Sequence, residues 1–148
     1  MLYYSYDEFK NDTKTLIAAV REYDPDAIIA VARGGMMLGQ LMGHGLNLRN
    51  VQSLRVEAYD DASRRERAEV FGNCDIKGAE RVLIVDDIVD SGMTLEALMG
   101  RLKTAYPDTQ FKAASLFYKP TASLQPDFTV KEATEWINFF WESDFSDG

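Results

Sequence analysis

Residues 82–94 read VLIVDDIVDSGMT and carry the densest chemistry in the chain. Apolar residues run into two acids, Asp86 and Asp87, and a third, Asp90, precedes Ser91, Gly92, Met93 and Thr94. Carboxylates at a strand end accept hydrogen bonds from sugar hydroxyls or hold a hydrated divalent cation. A Ser-Gly-Met-Thr turn ahead of a helix offers N–H groups and hydroxyls to a phosphate. Gly92 gives that turn the backbone freedom an anion nest needs. Either half alone reads as an ordinary solvated acidic end with Ser91 or Thr94 capping a helix. The two halves within one short segment point to a site for a phosphorylated sugar.

Other residues of interest lie far away in sequence. Arg33, Gly34 and Gly35 interrupt an apolar run, Lys119 stands before Pro120, and Trp136 to Trp141 form an aromatic tail followed by Glu142. Each has a plain structural reading. These are a strand-to-helix turn, a surface lysine and a packed aromatic strand. The run DDASRRER at 60–67 reads equally well as a solvated loop or as a source of cations, Arg64, Arg65 or Arg67. A single histidine, His44, excludes a His-rich metal site and argues against a Ser-His-Asp triad. A single cysteine, Cys74, excludes an internal disulfide. Both are read as structural.

The elements that must position these residues alternate between strand and helix. Ser5 followed by Glu8 is a capping-box pattern, and Phe9, Leu16, Ile17 and Val20 then share one helical face. Asp24-Pro25 ends that helix. AIIAVA at 27–32 is polar-free and reads as a strand buried on both faces. Residues 36–45 read as a helix and 51–59 as an alternating strand. Residues 60–67 form a loop, and Val70-Phe71 begin a short returning strand. RVLIV at 81–85 is a buried strand with Asp86-Asp87 at its C-terminal end. Residues 95–106 form a helix and 111–118 a further strand, closed by Lys119-Pro120. This order predicts an α/β protein with a mostly parallel sheet and right-handed crossovers. Ligands of such sheets bind beyond the C-terminal strand ends. Arg33 to Gly35, Asp86-Asp87 and Lys119 all fall there.

The 148 residues suit one domain with a substantial core. Twenty-four acids against sixteen Lys and Arg give a net charge of −8, which argues against a domain that lives on nucleic-acid phosphates. The opening MLYYSYDEFK lacks a signal-peptide pattern, and no apolar run reaches the roughly 20 residues of a membrane span. A cytoplasmic protein without an integral membrane segment is expected.

VLIVDD together with Lys119-Pro120 resembles response-regulator receivers. In that family, however, the paired acids end the first strand, and a phosphoacceptor Asp lies between them and the Lys-Pro. Here the acids come late and the remaining stretch is too short. The segment 82–94, with its lead-in Asp75-Ile76-Lys77-Gly78, resembles instead the phosphoribosyl pyrophosphate (PRPP) signature of the type I phosphoribosyltransferases. Residues Val31 to Gly35 resemble that family's pyrophosphate loop, which usually contains a non-proline cis peptide. The tail, with Lys119-Pro120, Pro126-Asp127-Phe128, Trp136-Ile137 and Trp141-Glu142, resembles the hood of the bacterial xanthine-guanine branch.

The resemblance implies the type I fold, with a core over about 1–118 and a C-terminal hood over about 119–148. It implies transfer of phosphoribose from PRPP to a 6-oxopurine, with Mg²⁺ as cofactor. Arg33, Gly34, Gly35, Asp86, Asp87, Ser91, Gly92, Met93 and Thr94 would bind PRPP, and Asp87 would contact the metal. Asp90 would be the catalytic base or a charge-stabilising acceptor at purine N7. Lys119 would meet the 6-oxo group, Trp136 would stack on the ring, and Ile137 and Glu142 would read the 2-substituent through their backbone. The 60–67 segment would be a mobile lid, and the protein a homodimer or homotetramer. A regulator of the same fold that binds PRPP or a nucleotide without turnover is the alternative.

Overall fold

The computed structural model describes residues 1–60 and 66–146, so Arg64 and Arg65 lie outside the described residues. Its centre is built from the two most apolar runs. Strands β2 (Ala27–Ala32) and β5 (Arg81–Val89) pair in parallel from Ala27 opposite Val82 to Ala30 opposite Val85. Strand β3 (Val51–Asp60) adds beside β2, and β6 (Gln110–Tyr118) and then β7 (Phe128–Glu132) add beside β5, all in parallel. Only β4 (Glu66–Phe71) runs antiparallel, against β3, giving the order β4-β3-β2-β5-β6-β7. The central strands have polar-free runs because both of their faces are covered.

One face buries Leu83 and Val85 under helices α1 (Tyr6–Val20) and α2 (Met36–Gly45), which contribute Phe9, Leu16, Val20, Leu38 and Met42. The other buries Val82 and Ile84 under α3 (Met93–Ala105), with Leu98 and Leu102. A separate two-stranded sheet pairs β1 (Leu2–Tyr4) in parallel with β8 (Ile137–Phe139), and the short helix α4 (Phe140–Ser143) follows.

The predicted capping box forms: Glu8 N–H donates to Ser5 Oγ at 3.2 Å, and Ser5 N–H to the Glu8 carboxylate at 2.9 Å. α1 ends at Val20, and a 3-10 turn over Arg21–Tyr23 leads to Asp24 at φ 51°, ahead of Pro25. Four boundaries in particular differ from those expected from the sequence. β4 starts at Glu66, well before Val70, and β3 reaches Asp60, so the described ends of the charge run at 60–67 are strand, and its residues 61–65 lie outside the described residues. Asp60 stands opposite Glu66, although their composition is that of a solvated segment. α3 starts at Met93, with Gly92 as its N-cap at φ 89°. β5 continues through Val89, so Asp86 and Asp87 stand inside the strand and not at its end. The ladder with β2 ends at Ala30 opposite Val85, so the acids sit where pairing on that side has already ended. Neither β1 nor β7 was expected; β1 is three residues long and shows no alternation to read.

Candidate active site at the strand ends

The parallel strands β2, β5 and β6 point the same way, and the loops that leave them meet. After β2 the chain turns through Arg33 and Gly34, and the Ala32–Arg33 peptide is cis. Gly34 and Gly35 are required by close approach. A Cβ on Gly34 would run into the Asp87 carboxylate, and one on Gly35 into the Val85 carbonyl. Gly35 N–H donates to Val31 O at 2.8 Å, which tightens the loop against the strand end.

Beyond Val85 the acids satisfy the backbone themselves. Asp87 N–H donates to Asp86 Oδ1 at 2.8 Å, and Ile88 N–H donates to Asp87 Oδ1 at 2.7 Å. Alternation also shifts by one residue here: Val85 and Ile88 face the first core, Ile84 and Val89 the second. Desolvation pushes the Asp86 carboxyl well above the ordinary carboxylate range, with repulsion from Asp87 adding to it, and desolvation also raises Asp87. Two crowded acids with raised proton affinity favour a cation or hydroxyl donors beside them.

The following turn is shaped for an anion. Gly92 occupies left-handed backbone, and a Cβ there would press on Ser123 and Leu124 at 2.7 Å. Ser123 N–H donates to Ser91 O at 2.8 Å and holds the turn in place. No side chain of the Gly92 N-cap closes α3, and within the turn the Ser91 hydroxyl accepts only from Met93 N–H, at 3.2 Å. The first turn of α3 therefore presents N–H groups and the positive end of its dipole outward.

Three adjoining cavities result. One of about 220 Å³ lies under the turn and is lined by Asp86, Ser91, Gly92 and Thr94. A cleft of about 1140 Å³ runs between Arg33, Gly34, Asp86, Thr94 and the tail residues Trp136, Asn138, Trp141 and Glu142. A third, of about 280 Å³, is lined by Asp90, Lys119, Trp136, Ile137 and Glu142. Asp87 lines all three. Lys119 Nζ pairs with Asp90 Oδ1 at 2.9 Å. Trp136 is 72% exposed, so it is a free face and not a core residue. Burial raises the Glu142 carboxyl, and the negative charge of Asp87 adds to this while Arg33 opposes it.

Of the expected residues, Gly35 and Met93 line none of these cavities. Arg67 lies on β4 with its guanidinium 5.7 Å from the Tyr59 ring centre, outside the cavities. Asn138, Ser143 and Glu135 face the cavities and escaped the sequence reading. The alternation of buried Ile137 and Phe139 about Asn138 was the signal available.

The arrangement brings a glycine-containing turn at a helix N-terminus, a diacid and a cavity lined by Trp136 together at the C-terminal edge of a parallel sheet. The phosphoribosyl transferase domain model matches residues 4–146, and the chain belongs to that family. It is similar to a xanthine-guanine phosphoribosyltransferase from Ruegeria sp., with 33% identity over 93% of this chain and 83% of that one. The fold matches the Helicobacter pylori xanthine-guanine-hypoxanthine phosphoribosyltransferase with a TM-score of 0.90 and 38% identity, over 97% of this chain and 94% of that one. It matches a purine phosphoribosyltransferase from Pyrococcus horikoshii with a TM-score of 0.85 and 33% identity, over 95% and 93%.

Proposed function

We propose that the chain is a purine-salvage phosphoribosyltransferase, converting a 6-oxopurine and PRPP to the nucleoside 5'-monophosphate and pyrophosphate. The observation that carries this is the meeting of Asp90, Lys119 and Trp136 in one cavity that shares Asp87 with the cleft and the phosphate turn. The first turn of α3 holds the 5'-phosphate through Ser91, Gly92, Met93 N–H and Thr94. Asp86 and Asp87 accept from the ribose hydroxyls. Arg33 and the Gly34 and Gly35 backbone border the pyrophosphate. Trp136 stacks on the base, and the backbone at Ile137 and Glu142 lies along its 2-position.

The purine nitrogen attacks ribose C1 as the bond to pyrophosphate breaks, and the proton the base gives up passes to the Asp90 carboxylate. Lys119, held by Asp90 until the base arrives, turns its ammonium to the 6-oxo oxygen. Among the described residues no three metal-ligating side chains gather into a closed site. The hard oxygens of Asp86 and Asp87 suit Mg²⁺ arriving with substrate oxygens, Asp87 being the contact. Mg²⁺ supplies charge neutralisation at the departing pyrophosphate.

The hood residues 119–148 close over a core of about 1–118. The proposal places the enzyme in the cytoplasm; among the described residues no helix is long and apolar enough to cross a membrane. Exposed Met36, Met37 and Leu41 on α2 supply apolar surface for a homodimer or homotetramer.

Pyrophosphate release is measured with PRPP, Mg²⁺ and each of guanine, hypoxanthine, xanthine and adenine. An ammonium donates and cannot accept, so the 6-amino group of adenine meets a donor. Discrimination against adenine of roughly 10⁴-fold is expected. Preference for adenine overturns the Lys119 role. PRPP binding without turnover on any base supports a non-catalytic regulator instead.

A further inference from the structure

Asn138 and Ser143 form a polar pair in the wall of the large cleft. Asn138 is the middle residue of β8, half-buried between the buried Ile137 and Phe139. Strand alternation puts it on the same side of the chain as Trp136. Its Nδ2 donates to Ser143 Oγ on α4 at 3.1 Å. The end of α4 is itself held in place. Tyr3, opposite Asn138 in the β1–β8 register, donates its hydroxyl to the two Asp144 carboxylate oxygens at 3.0 and 2.9 Å.

Trp136 and Glu142 belong both to the cleft and to the smaller cavity that holds Asp90 and Lys119. A base that lies on Trp136 with its O6 and N7 edge at Lys119 and Asp90 turns its 2-position toward the cleft, and so toward Asn138. The 6-oxopurines differ in what they offer there. Guanine has a 2-amino donor, xanthine a 2-oxo acceptor and hypoxanthine only a C–H. A backbone carbonyl only accepts and a backbone N–H only donates, so neither serves both guanine and xanthine. A carboxamide has both functions, and turning it about its last bond exchanges them.

Resting on the phosphoribosyltransferase reading above, we infer that the Asn138 side chain is a two-way reader of the base 2-position, with Ser143 as its pivot. In the present orientation Nδ2 is engaged by Ser143, and Oδ1 is left to accept from the 2-amino group of guanine. Turned over, Oδ1 accepts from the Ser143 hydroxyl, and Nδ2 donates to the 2-oxo group of xanthine. A hydroxyl both donates and accepts, so the bond to Ser143 survives in either orientation. One cavity then takes both bases without leaving a buried polar group unpaired.

The test measures kcat and KM for guanine, xanthine, hypoxanthine and PRPP with saturating Mg²⁺, at a slightly acidic pH where the three bases are neutral. Asn138→Asp presents acceptors only. It should lower kcat/KM for xanthine roughly 10-fold or more beyond any change for guanine. Asn138→Ala should lower guanine and xanthine alike, by roughly 10-fold, with a much smaller change for hypoxanthine and for KM of PRPP. Ser143→Ala should lower guanine and xanthine to a lesser degree, because the amide loses its pivot. An Asn138→Asp protein with an unchanged ratio of xanthine to guanine overturns the inference. So does an equal loss on all three bases in Asn138→Ala, or a rise in KM for PRPP as large as that for the base; either result makes the pair a clasp for α4. If Asn138→Asp fails to fold, the three-base comparison in Asn138→Ala decides. Wild-type protein without turnover on any base overturns the enzyme reading itself, a result distinct from turnover that ignores Asn138.

Discussion

The two ends of the candidate site are built in opposite ways. The proposed phosphate and ribose end comes from one stretch of chain, Asp86 to Thr94, held by hydrogen bonds within the stretch and by Ser123. The base end is assembled from distant pieces: Asp90, Lys119, Trp136 and Glu142. The strand behind it, β8, pairs only with β1 at the far end of the sequence. Tyr4 on β1 is buried, stacks edge-on against Phe117 and Phe139, and donates to Asp12 on α1 at 2.6 Å. Asp12 in turn pairs with Lys131 on β7 at 3.0 Å. Local backbone geometry is enough to shape a turn that could cradle a phosphate. A wall set by long-range packing is free to vary with the base.

This contrast is open to a series of substitutions. Asp90 stands at the junction, and its loss should have the largest effect. Asp90→Ala is expected to lower kcat by about 10²–10⁴-fold with a smaller change in PRPP affinity. Loss of PRPP binding with turnover preserved at saturation would move Asp90 to the phosphate end. Trp136→Ala should act on the base end alone. Loss of a stacking partner costs roughly 1–3 kcal/mol, so KM for the purine should rise far more than KM for PRPP. Because Trp136 is exposed, thermal stability should hardly move. Equal rises in both KM values would dissolve the distinction between the two ends.

Asp87→Asn probes the metal side. It should weaken PRPP use and raise the Mg²⁺ requirement. Burial raises this carboxyl in the fold above its unfolded value, so its charge destabilises the fold from the ordinary carboxylate range upward. The variant should therefore be more stable than the parent at neutral pH and equal to it in strong acid. Thermal melts at pH 7 and pH 3 check this, and a lower melting temperature at pH 7 would refute it. Tyr4→Phe should have the smallest effect. Removing the hydroxyl leaves Asp12 one donor short in a buried position, at about 1–3 kcal/mol of stability. If β1 sets the base wall, KM for the purine should rise a few-fold while KM for PRPP stays constant. An unchanged purine KM would confine Tyr4 to stability.

Much of the phosphate end was legible in the chain. Four apolar residues, two acids, a third acid and a Ser-Gly-Met-Thr turn are contiguous, and their chemistry follows from spacing alone. The parallel sheet was legible too, since AIIAVA and RVLIV admit no solvated face. The boundaries were not. β5 outruns its apolar stretch because its ladder with β6 continues after its ladder with β2 has ended. β4 is held by pairing with β3 and not by its own composition.

The base end depended on tertiary structure. Nothing local tells that Leu2 lies opposite Ile137, that Lys119 reaches Asp90, or that Trp136 is left bare while Phe139 and Trp141 stack at 4.6 Å inside. Sequence by itself determined which residues could bear phosphate and sugar chemistry, because Asp86 to Thr94 are neighbours along the backbone. Which side chains gather around the cavity of Asp90 and Lys119 was decided only when strands from the two ends of the chain came together.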